Sequence, residues 1–321
     1  MGDIMFFQKS IFSIITIFLI VGISSCQDKS GTPTEPNDLG GRNNQYLGQT
    51  PPGMVPVKFA PNNSYLSTRS WWWQSSPVFS PDSNEMYFVK YFNSSEIHEI
   101  WFTKRTNGVW SEVLKAPFST GSYNGTPMFL ESNDTLYFYS HRPEGFVFRV
   151  TRTPSGWSEP AAINIPLPAN TRGYSFHMTK NKTIYFGLLN TSSSQYDWST
   201  LDIYRTRLVN GQYTQPENIG TSINTNVGEG VGYVDPNERF IIYESNKTGG
   251  YGQHDMYISY GNPDDTWNAP VNLGAVINTN SEDSYPSITA DGKYFFFVTQ
   301  KSGDAGYATY WVDVSAIEAI H

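Results

Sequence analysis

A set of polar and aromatic residues could form a binding or catalytic site, because its members recur at one place in five successive repeats. Each member stands directly before the first strand expected in its repeat. The members are Trp71, Trp72, Trp73, Gln74, Tyr123, Asn124, Arg172, Glu229, Glu282 and Asp283. Flat aromatic faces with convergent hydrogen-bonding groups fit a sugar or a peptide. Ordinary loop residues at the end of a channel are the alternative reading of the same pattern.

The carboxylates of the last two repeats raise the alternative of a carbohydrate-active enzyme, a hydrolase or a lyase. A glycoside hydrolase needs two carboxyl groups that are about 5 Å or about 6.5–9.5 Å apart. The first three repeats offer Gln74, Asn124 and Arg172 at the corresponding points, and none of these is a carboxylic acid. The pattern therefore favours binding, with Arg172, Glu229 and Asp283 as polar selectors.

Three consecutive tryptophans, Trp71–Trp73, cannot all face one side of a strand, so at least one is expected in a loop or on the surface. An exposed platform of this kind would stack against a ligand or partner. Packing between repeats is the alternative. Motifs for metal binding and for a serine nucleophile are absent: the five His show no His-x-x-x-His spacing, and the sequence contains no Gly-x-Ser-x-Gly. We therefore expect no metal and no cofactor.

The elements that position these residues are short strands. Aromatic residues make up 16% of the 321 residues, with 27 Gly and 20 Pro, and no window shows a helical period. An apolar pair recurs at intervals of 48 to 57 residues, at Tyr87-Phe88, Tyr137-Phe138, Tyr185-Phe186, Ile242-Tyr243 and Phe296-Phe297. A turn precedes each pair. A third apolar run follows it, and a fourth begins at Trp110, Trp157, Tyr213 and Trp267. Four strands per repeat are typical of a propeller blade.

The fifth repeat contains no fourth strand, and the missing strand is predicted near the other end of the sequence. Pro56–Ala60 matches Pro270–Gly274 position by position. An N-terminal strand would thus complete the last blade and close the ring. The prediction is an all-β, five-bladed β-propeller of four-stranded blades over residues 50–321. A sixth blade near Tyr65–Trp73 is the alternative.

Several segments resemble the TolB-like propeller repeats of exported bacterial proteins: Ser76–Asp82, Ser245–Gly252 and Trp267–Gly274. The resemblance covers nearly all of residues 50–321. Repeats two and three depart from it at Leu130–Asn133 and Met178–Asn181, where Ser-Pro-Asp-Gly is usual. The resemblance implies a propeller fold. The family includes envelope proteins that bind partners, and related propellers are attached to peptidases and lyases, so the resemblance selects no activity.

Residues 1–25 are predicted to be a lipoprotein signal peptide. Lys9 precedes an apolar stretch, Ile11–Gly22, which at about 12 residues is too short to span a membrane. Cys26 is the only cysteine, and the segment before it resembles a bacterial lipoprotein signal, which implies acylation of Cys26. An ordinary cleaved signal is the alternative. Gln27 after the cysteine resembles an outer-membrane sorting signal. Residues 26–49 are predicted to be the acylated cysteine and a flexible tether.

The formal net charge is −8 and the pI is about 5.1, so a basic surface for nucleic acid is absent. The sequence thus predicts a monomeric outer-membrane lipoprotein that faces the periplasm or the cell surface. Its propeller would act as a non-enzymatic binding or scaffold module for an envelope protein or a glycan. A scaffold would use its outer blade edges rather than the channel. The enzyme described above is the alternative function.

Overall fold

Short antiparallel strands account for nearly all of the regular structure. The computed structural model describes residues 45–60, 75–92, 97–121, 123–191 and 198–320, and every structural statement below concerns these residues. They contain 24 strands and four 3₁₀ helices, which are Gln45–Gly48, Trp198–Thr200, Val314–Ala316 and Glu318–Ile320. Within the described ranges no helix is long and apolar enough to cross a bilayer.

The strands form five blade sheets and one two-stranded hairpin, and we number the blades 1 to 5 in chain order; β1 (Val57–Lys58) comes before blade 1 in the chain. Blade 1 contains β2 (Val78–Phe79), β3 (Glu85–Phe92), β4 (Ile97–Thr106), β5 (Val109–Trp110) and β6 (Leu114–Lys115). Blade 2 contains β7 (Asn124–Phe129), β8 (Thr135–Ser140), β9 (Val147–Thr153), β10 (Gly156–Trp157) and β11 (Ala161–Ala162). Blade 3 contains β12 (Thr171–Met178), β13 (Ile184–Asn190), β14 (Asp202–Thr206), the hairpin β15 (Leu208–Val209) and β16 (Gln212–Tyr213), and β17 (Glu217–Asn218). Blade 4 contains β18 (Glu229–Val234), β19 (Phe240–Ser245), β20 (Asp255–Tyr260) and β21 (Val271–Asn272). Blade 5 contains β22 (Ser284–Ile288), β23 (Tyr294–Thr299) and β24 (Ala308–Asp313).

Each blade is built on a four-stranded antiparallel sheet, to which blades 1, 2 and 3 add a short hairpin, and this confirms the five-bladed propeller. The fourth strand of blade 5 is β1, because Val57 pairs with Trp311 and Lys58 with Tyr310. Closure by the N-terminal strand is thus confirmed. The alternative sixth blade near residues 65–73 lies outside the described residues, and the described residues form five blades.

The outer strands of blades 1 to 4 lie a few residues later than the aromatic residues that were expected to begin them. Trp110 and Trp157 belong to short hairpins, and the outer strands follow at β6 and β11. Trp110 and Trp267 are instead buried in the apolar clusters between blades. An indole ring buries more area in such a junction than it would in an exposed edge strand, which explains its position.

Five clusters of buried apolar side chains hold the ring together, one at each junction between neighbouring blades. Successive side chains of a strand point to opposite faces of its blade, and each blade buries both faces against its neighbours, so every blade contributes to two clusters. At the closing junction, the ring centroid of Trp311 lies 5.3 Å from that of Phe59 and 5.4 Å from that of Phe296. Closure therefore joins the last blade to the first through a continuous aromatic core.

The segment just before β1 packs against this closing junction. Tyr46 and Leu47 are buried, and the ring centroid of Tyr46 lies 5.1 Å from that of Phe79. The Gln49 side chain donates to the Lys58 carbonyl at 2.7 Å and accepts from the Ala60 N–H at 2.6 Å. Residues 26–49 were predicted to be a tether, and the end of that range is packed instead because its aromatic ring fills the junction. The packed region thus begins before residue 50.

Candidate functional site

The strand pairing identifies equivalent positions at the start of the innermost strands. Asn124 pairs with Ser140, Gly173 with Leu188 and Glu229 with Ser245, and Asp283 immediately precedes the first pair of blade 5. These four positions are equivalent, so Gly173 rather than Arg172 represents blade 3. Tyr123, Arg172 and Glu282 stand one residue earlier in their blades. The predicted set therefore combines two neighbouring positions, whose side chains point to opposite faces of the strand.

Glu229 and Asp283 are fully buried, and each binds the loop that leads into its own blade. The Glu229 carboxylate accepts from the Thr225 N–H at 2.9 Å, the Thr225 hydroxyl at 2.6 Å and the Ser245 hydroxyl at 3.1 Å. Asp283 accepts from the Thr279 N–H at 2.7 Å and the Thr279 hydroxyl at 3.2 Å. Burial raises the pKa of Glu229 and raises that of Asp283 to about 6. Neither residue lines the central cavity, which the innermost strands of the five blades surround.

Asn124 and Arg172 also lie away from that cavity. Asn124 is fully buried, with its amide nitrogen 3.5 Å from the carbonyl oxygen of His98. Arg172 lines a separate groove of about 470 Å³ between blades 2 and 3, together with His141 and Arg142. The structure therefore does not bring Arg172 together with Glu229 and Asp283 in one cavity.

Glu282 lies at the junction of blades 4 and 5. Its carboxylate is 3.7 Å from His254 Nδ1 and accepts from the Tyr307 hydroxyl at 3.3 Å. Hydrogen bonding to Glu282 raises the pKa of His254. Trp71, Trp72, Trp73, Gln74 and the predicted lipidation site Cys26 lie outside the described residues.

The innermost strands of all five blades surround a central cavity of about 1050 Å³. One of its ends is formed by the turns after these strands, and residues there include Pro81, Glu131, Lys180, Pro236 and Asp291. The predicted site residues stand at the other end of the same strands. Of those that the structure describes, only Tyr123 lines this cavity. Its ring centroid lies 3.5 Å from that of His98 and 4.3 Å from that of His141.

Four tyrosines from four blades meet in the cavity: Tyr91, Tyr123, Tyr174 and Tyr285. The hydroxyl oxygens of Tyr91 and Tyr285 are 2.9 Å apart, and Tyr123 and Tyr174 line the cavity beside them. Burial raises the pKa of all four hydroxyls, which therefore stay neutral at physiological pH.

Blade 4, which contributes no tyrosine to this cluster, contributes a carboxylate instead. Glu244 on β19 lines the cavity, and the Tyr285 N–H donates to its Oε1 at 2.6 Å. Burial raises the pKa of Glu244 to about 7. The equivalent positions in blades 1, 2, 3 and 5 are Val89, Tyr139, Gly187 and Val298.

Sequence reasoning missed Glu244, although a signal was present. It is the one charged residue at a position where the other repeats have uncharged ones. Perturbed carboxylates in cavities are frequent at functional sites. In the part of the chain that the structure describes, no group of three His, Cys, Asp or Glu could hold a metal ion.

Comparison with known proteins identifies no family. No family model matches the sequence, and no curated protein matches it. Solved structures that match include TolB from Acinetobacter baumannii, at 13% identity and a TM-score of 0.43 over 74% of this chain. An oligogalacturonate lyase in complex with manganese matches at 12% identity and a TM-score of 0.40, over 76% of this chain and 92% of its own. An α-L-arabinofuranosidase from Lactobacillus brevis matches at 14% identity and a TM-score of 0.41, over 74% of this chain and 89% of its own. The chain spans 54% of the TolB chain.

Proposed function

We propose that this protein is a non-enzymatic binding module that takes up a glycan in its central channel. One observation supports this function above the others: the cavity is of ligand size and is lined by tyrosine rings and neutral hydroxyls. Binding sites for small molecules have volumes of roughly 300–1,000 Å³ and combine apolar walls with a few placed polar groups. Tyrosine supplies both a flat face for a sugar ring and a hydroxyl for its hydroxyl groups.

The surroundings of the predicted acids favour binding over hydrolysis. A glycoside hydrolase requires two carboxyl groups on either side of the bond that it cleaves. Glu229 and Asp283 are instead bonded inside their own blades, away from the cavity. Glu244 alone among these three carboxylates lines the channel.

A library of envelope and plant oligosaccharides, incubated with the purified protein, tests this proposal. Mass spectrometry of retained and cleaved species distinguishes the outcomes. We expect retention without cleavage, and a five- to ten-fold weaker affinity in Tyr174→Phe, which loses one of the hydroxyls that line the cavity. Tyr251→Phe is the matched control, because Tyr251 is 52% exposed and lies outside the cavity. Cleavage products would favour the carbohydrate-active enzyme, and no retention of any glycan would overturn the proposal.

The proposal also places the module in the bacterial envelope, on the evidence of the sequence. A lipid on Cys26 would hold the propeller at the outer membrane, with the partner an envelope glycan. Growth with a labelled fatty acid tests this part. We expect label in the wild-type chain and none in Cys26→Ser. An unlabelled wild-type chain would support the alternative of an ordinary cleaved signal.

A further inference from the structure

Glu244 is a partly buried carboxylate that lines the channel and forms no ion pair with any described residue. Among the described residues no Lys, Arg or His lies within ion-pair distance of it, and its one hydrogen bond comes from the Tyr285 N–H. A carboxylate that is partly removed from water and has a single neutral donor is unfavourable unless a cation compensates its charge. His254 acts on Glu244 electrostatically but is not within ion-pair distance, so a ligand can supply a closer positive charge.

The second oxygen of Glu244 faces an opening in the opposite strand. Gly230 pairs with Glu244, and a Cβ atom at Gly230 would lie 3.8 Å from Glu244 Oε2. Glycine provides no such atom, and both residues line the cavity. The equivalent position in blade 3 is Tyr174, whose large side chain occupies the same level of the channel. Blade 4 thus leaves space for a group beside the carboxylate.

Tyrosine rings surround this space. Tyr91, Tyr174 and Tyr285 line the same part of the cavity, and the negative charge of Glu244 contributes to the raised pKa of each hydroxyl. Aromatic faces and phenolic oxygens attract cations, and the attraction is largest where water is displaced. A carboxylate among tyrosine rings is therefore suited to a positively charged organic group.

We propose that the channel ligand carries an organic ammonium group, and that this group binds between Glu244 and the rings of Tyr91, Tyr174 and Tyr285. The inference rests on the proposed function, because it names the chemical class of the ligand that the channel takes up. Recognition combines the charge of one carboxylate with cation–π contacts. A neutral ligand of the same shape would lose both.

When the pH falls, the other titratable groups near Glu244 do not oppose the weakening of cation binding that protonation of Glu244 causes. His254, Glu282 and Asp283 face it from the junction of blades 4 and 5, and the three tyrosines face it across the channel. Lower pH protonates Glu244 and adds charge to His254, and both changes disfavour a cation. Asp283 is bonded to its own loop and Glu282 to His254. The tyrosines stay neutral. Affinity for a permanent cation should therefore fall as the pH decreases from 8 to 6.

Choline and 3,3-dimethylbutan-1-ol provide a matched test, since they differ in charge but have nearly the same shape. Binding of each to the full-length protein is measured by ligand-observed NMR at pH 8 and at pH 6. We expect choline to bind at least ten-fold more tightly than the neutral alcohol at pH 8, with most of this preference lost at pH 6. Equal binding of the two probes, or no binding of choline, overturns the inference.

Two variants separate a role of Glu244 from a general effect. Glu244→Gln keeps the acceptor for the Tyr285 N–H but removes the charge, and should reduce the preference for choline to less than two-fold. Gly230→Ala covers Oε2 and should weaken choline binding three- to ten-fold. Glu112→Gln, an exposed carboxylate outside the cavity, should leave choline binding unchanged. Choline binding that survives Glu244→Gln overturns the inference. Glycan retention in the library decides the proposed function separately, whatever choline does.

Discussion

Blades 4 and 5 contain two kinds of carboxylate with different surroundings: Glu229 and Asp283 are fully buried, and Glu244 is partly buried. Glu229 and Asp283 accept hydrogen bonds from loop N–H groups and hydroxyls, so their lone pairs are used inside the blade. Glu244 lies between them in the chain, but it accepts one N–H and faces the channel. Burial raises the pKa of both kinds. Hydrogen bonds within the blade compensate the first kind, whereas the second kind accepts one bond and is available to a ligand.

The repeat pattern explains the difference. The pairs Thr225–Glu229 and Thr279–Asp283 have the same spacing and the same bonds in two successive blades. Asn224 and Asn278, which precede them, bind the backbone of the preceding blade through Ile203 and Met256. These loops therefore connect neighbouring blades in the same way each time. Residues that recur in successive blades make the same structural contacts each time, whereas Glu244 has no charged equivalent in the other blades.

The largest expected effect is a loss of stability when a loop-binding carboxylate is removed. Asp283 is fully buried, and Asp283→Ala leaves the Thr279 N–H without its acceptor and the Thr279 hydroxyl with Thr299 alone. Buried donors that lose their partner cost about 1–3 kcal/mol each, so we expect the free energy of unfolding to fall by about 3 kcal/mol. Urea denaturation measures it. Glu244→Ala is the comparison, and we expect no loss at pH 8, because removal of the charge offsets the loss of the bond from the Tyr285 N–H. Similar losses in the two variants would remove the distinction between the two kinds of carboxylate.

The next effect is a dependence of stability on pH that arises from Glu244. Its pKa is raised from 4.5 to about 7, so between these values the folded protein binds more protons than the unfolded chain does. The free energy of unfolding contributed by this group is therefore fully present below pH 4.5 and decreases as the pH rises towards 7.

Glu244→Gln removes this dependence. We expect the variant to be as stable as the wild type at pH 4.5 and more stable by about 2 kcal/mol at pH 8, after allowance for water in the channel. Urea denaturation at the two pH values measures the difference. Glu112→Gln should match the wild type at both. A variant that is less stable than the wild type at pH 8 would show that the charge of Glu244 is compensated.

The fold could be predicted because its signals are local and repeated. Apolar pairs, turn residues and the match of residues 56–60 to residues 270–274 each identify a strand, and the pairing of β1 with β24 confirms the closure that they imply. The packing of Tyr46 could not be predicted, because a single aromatic residue in a polar segment carries no periodicity. Tyr46 is buried by the junction between blades 5 and 1, which exists only in the folded ring.

The candidate site was less predictable, because the direction in which a side chain points at the end of a strand depends on the pairing register of that strand. A shift of one residue exchanges the two faces of a strand. Arg172 was placed beside Glu229 and Asp283, yet Gly173 occupies the equivalent position. The bond between Tyr91 and Tyr285 joins residues of blades 1 and 5 that are distant in sequence, so neither spacing nor composition indicates it.

A smaller effect is expected in the tyrosine cluster, which belongs to the same channel as Glu244. Tyr91→Phe removes the hydroxyl that lies 2.9 Å from that of Tyr285. One neutral hydrogen bond contributes about 1 kcal/mol, so the free energy of unfolding should fall by about that amount. Thermal or urea unfolding measures it, with Tyr251→Phe as an exposed control that should change nothing. A loss as large as that of Asp283→Ala would mean that the cluster supports the fold as strongly as the loop carboxylates do.

The smallest effect is expected for the pair of His254 and Glu282, which lies between the two kinds of carboxylate. Their side chains are 43% and 20% exposed, and His254 Nδ1 is 3.7 Å from the carboxylate. Solvent screens such a pair, and its coupling energy should be below about 0.5 kcal/mol. A double-mutant cycle with His254→Ala and Glu282→Gln, in urea at pH 6 and pH 8, measures it. Because the raised pKa of His254 makes the pair ionic at the lower pH, any coupling should be larger at pH 6. Coupling above about 2 kcal/mol would instead place Glu282 with the carboxylates that hold the fold together, and Glu244 would then be the one exception at this junction.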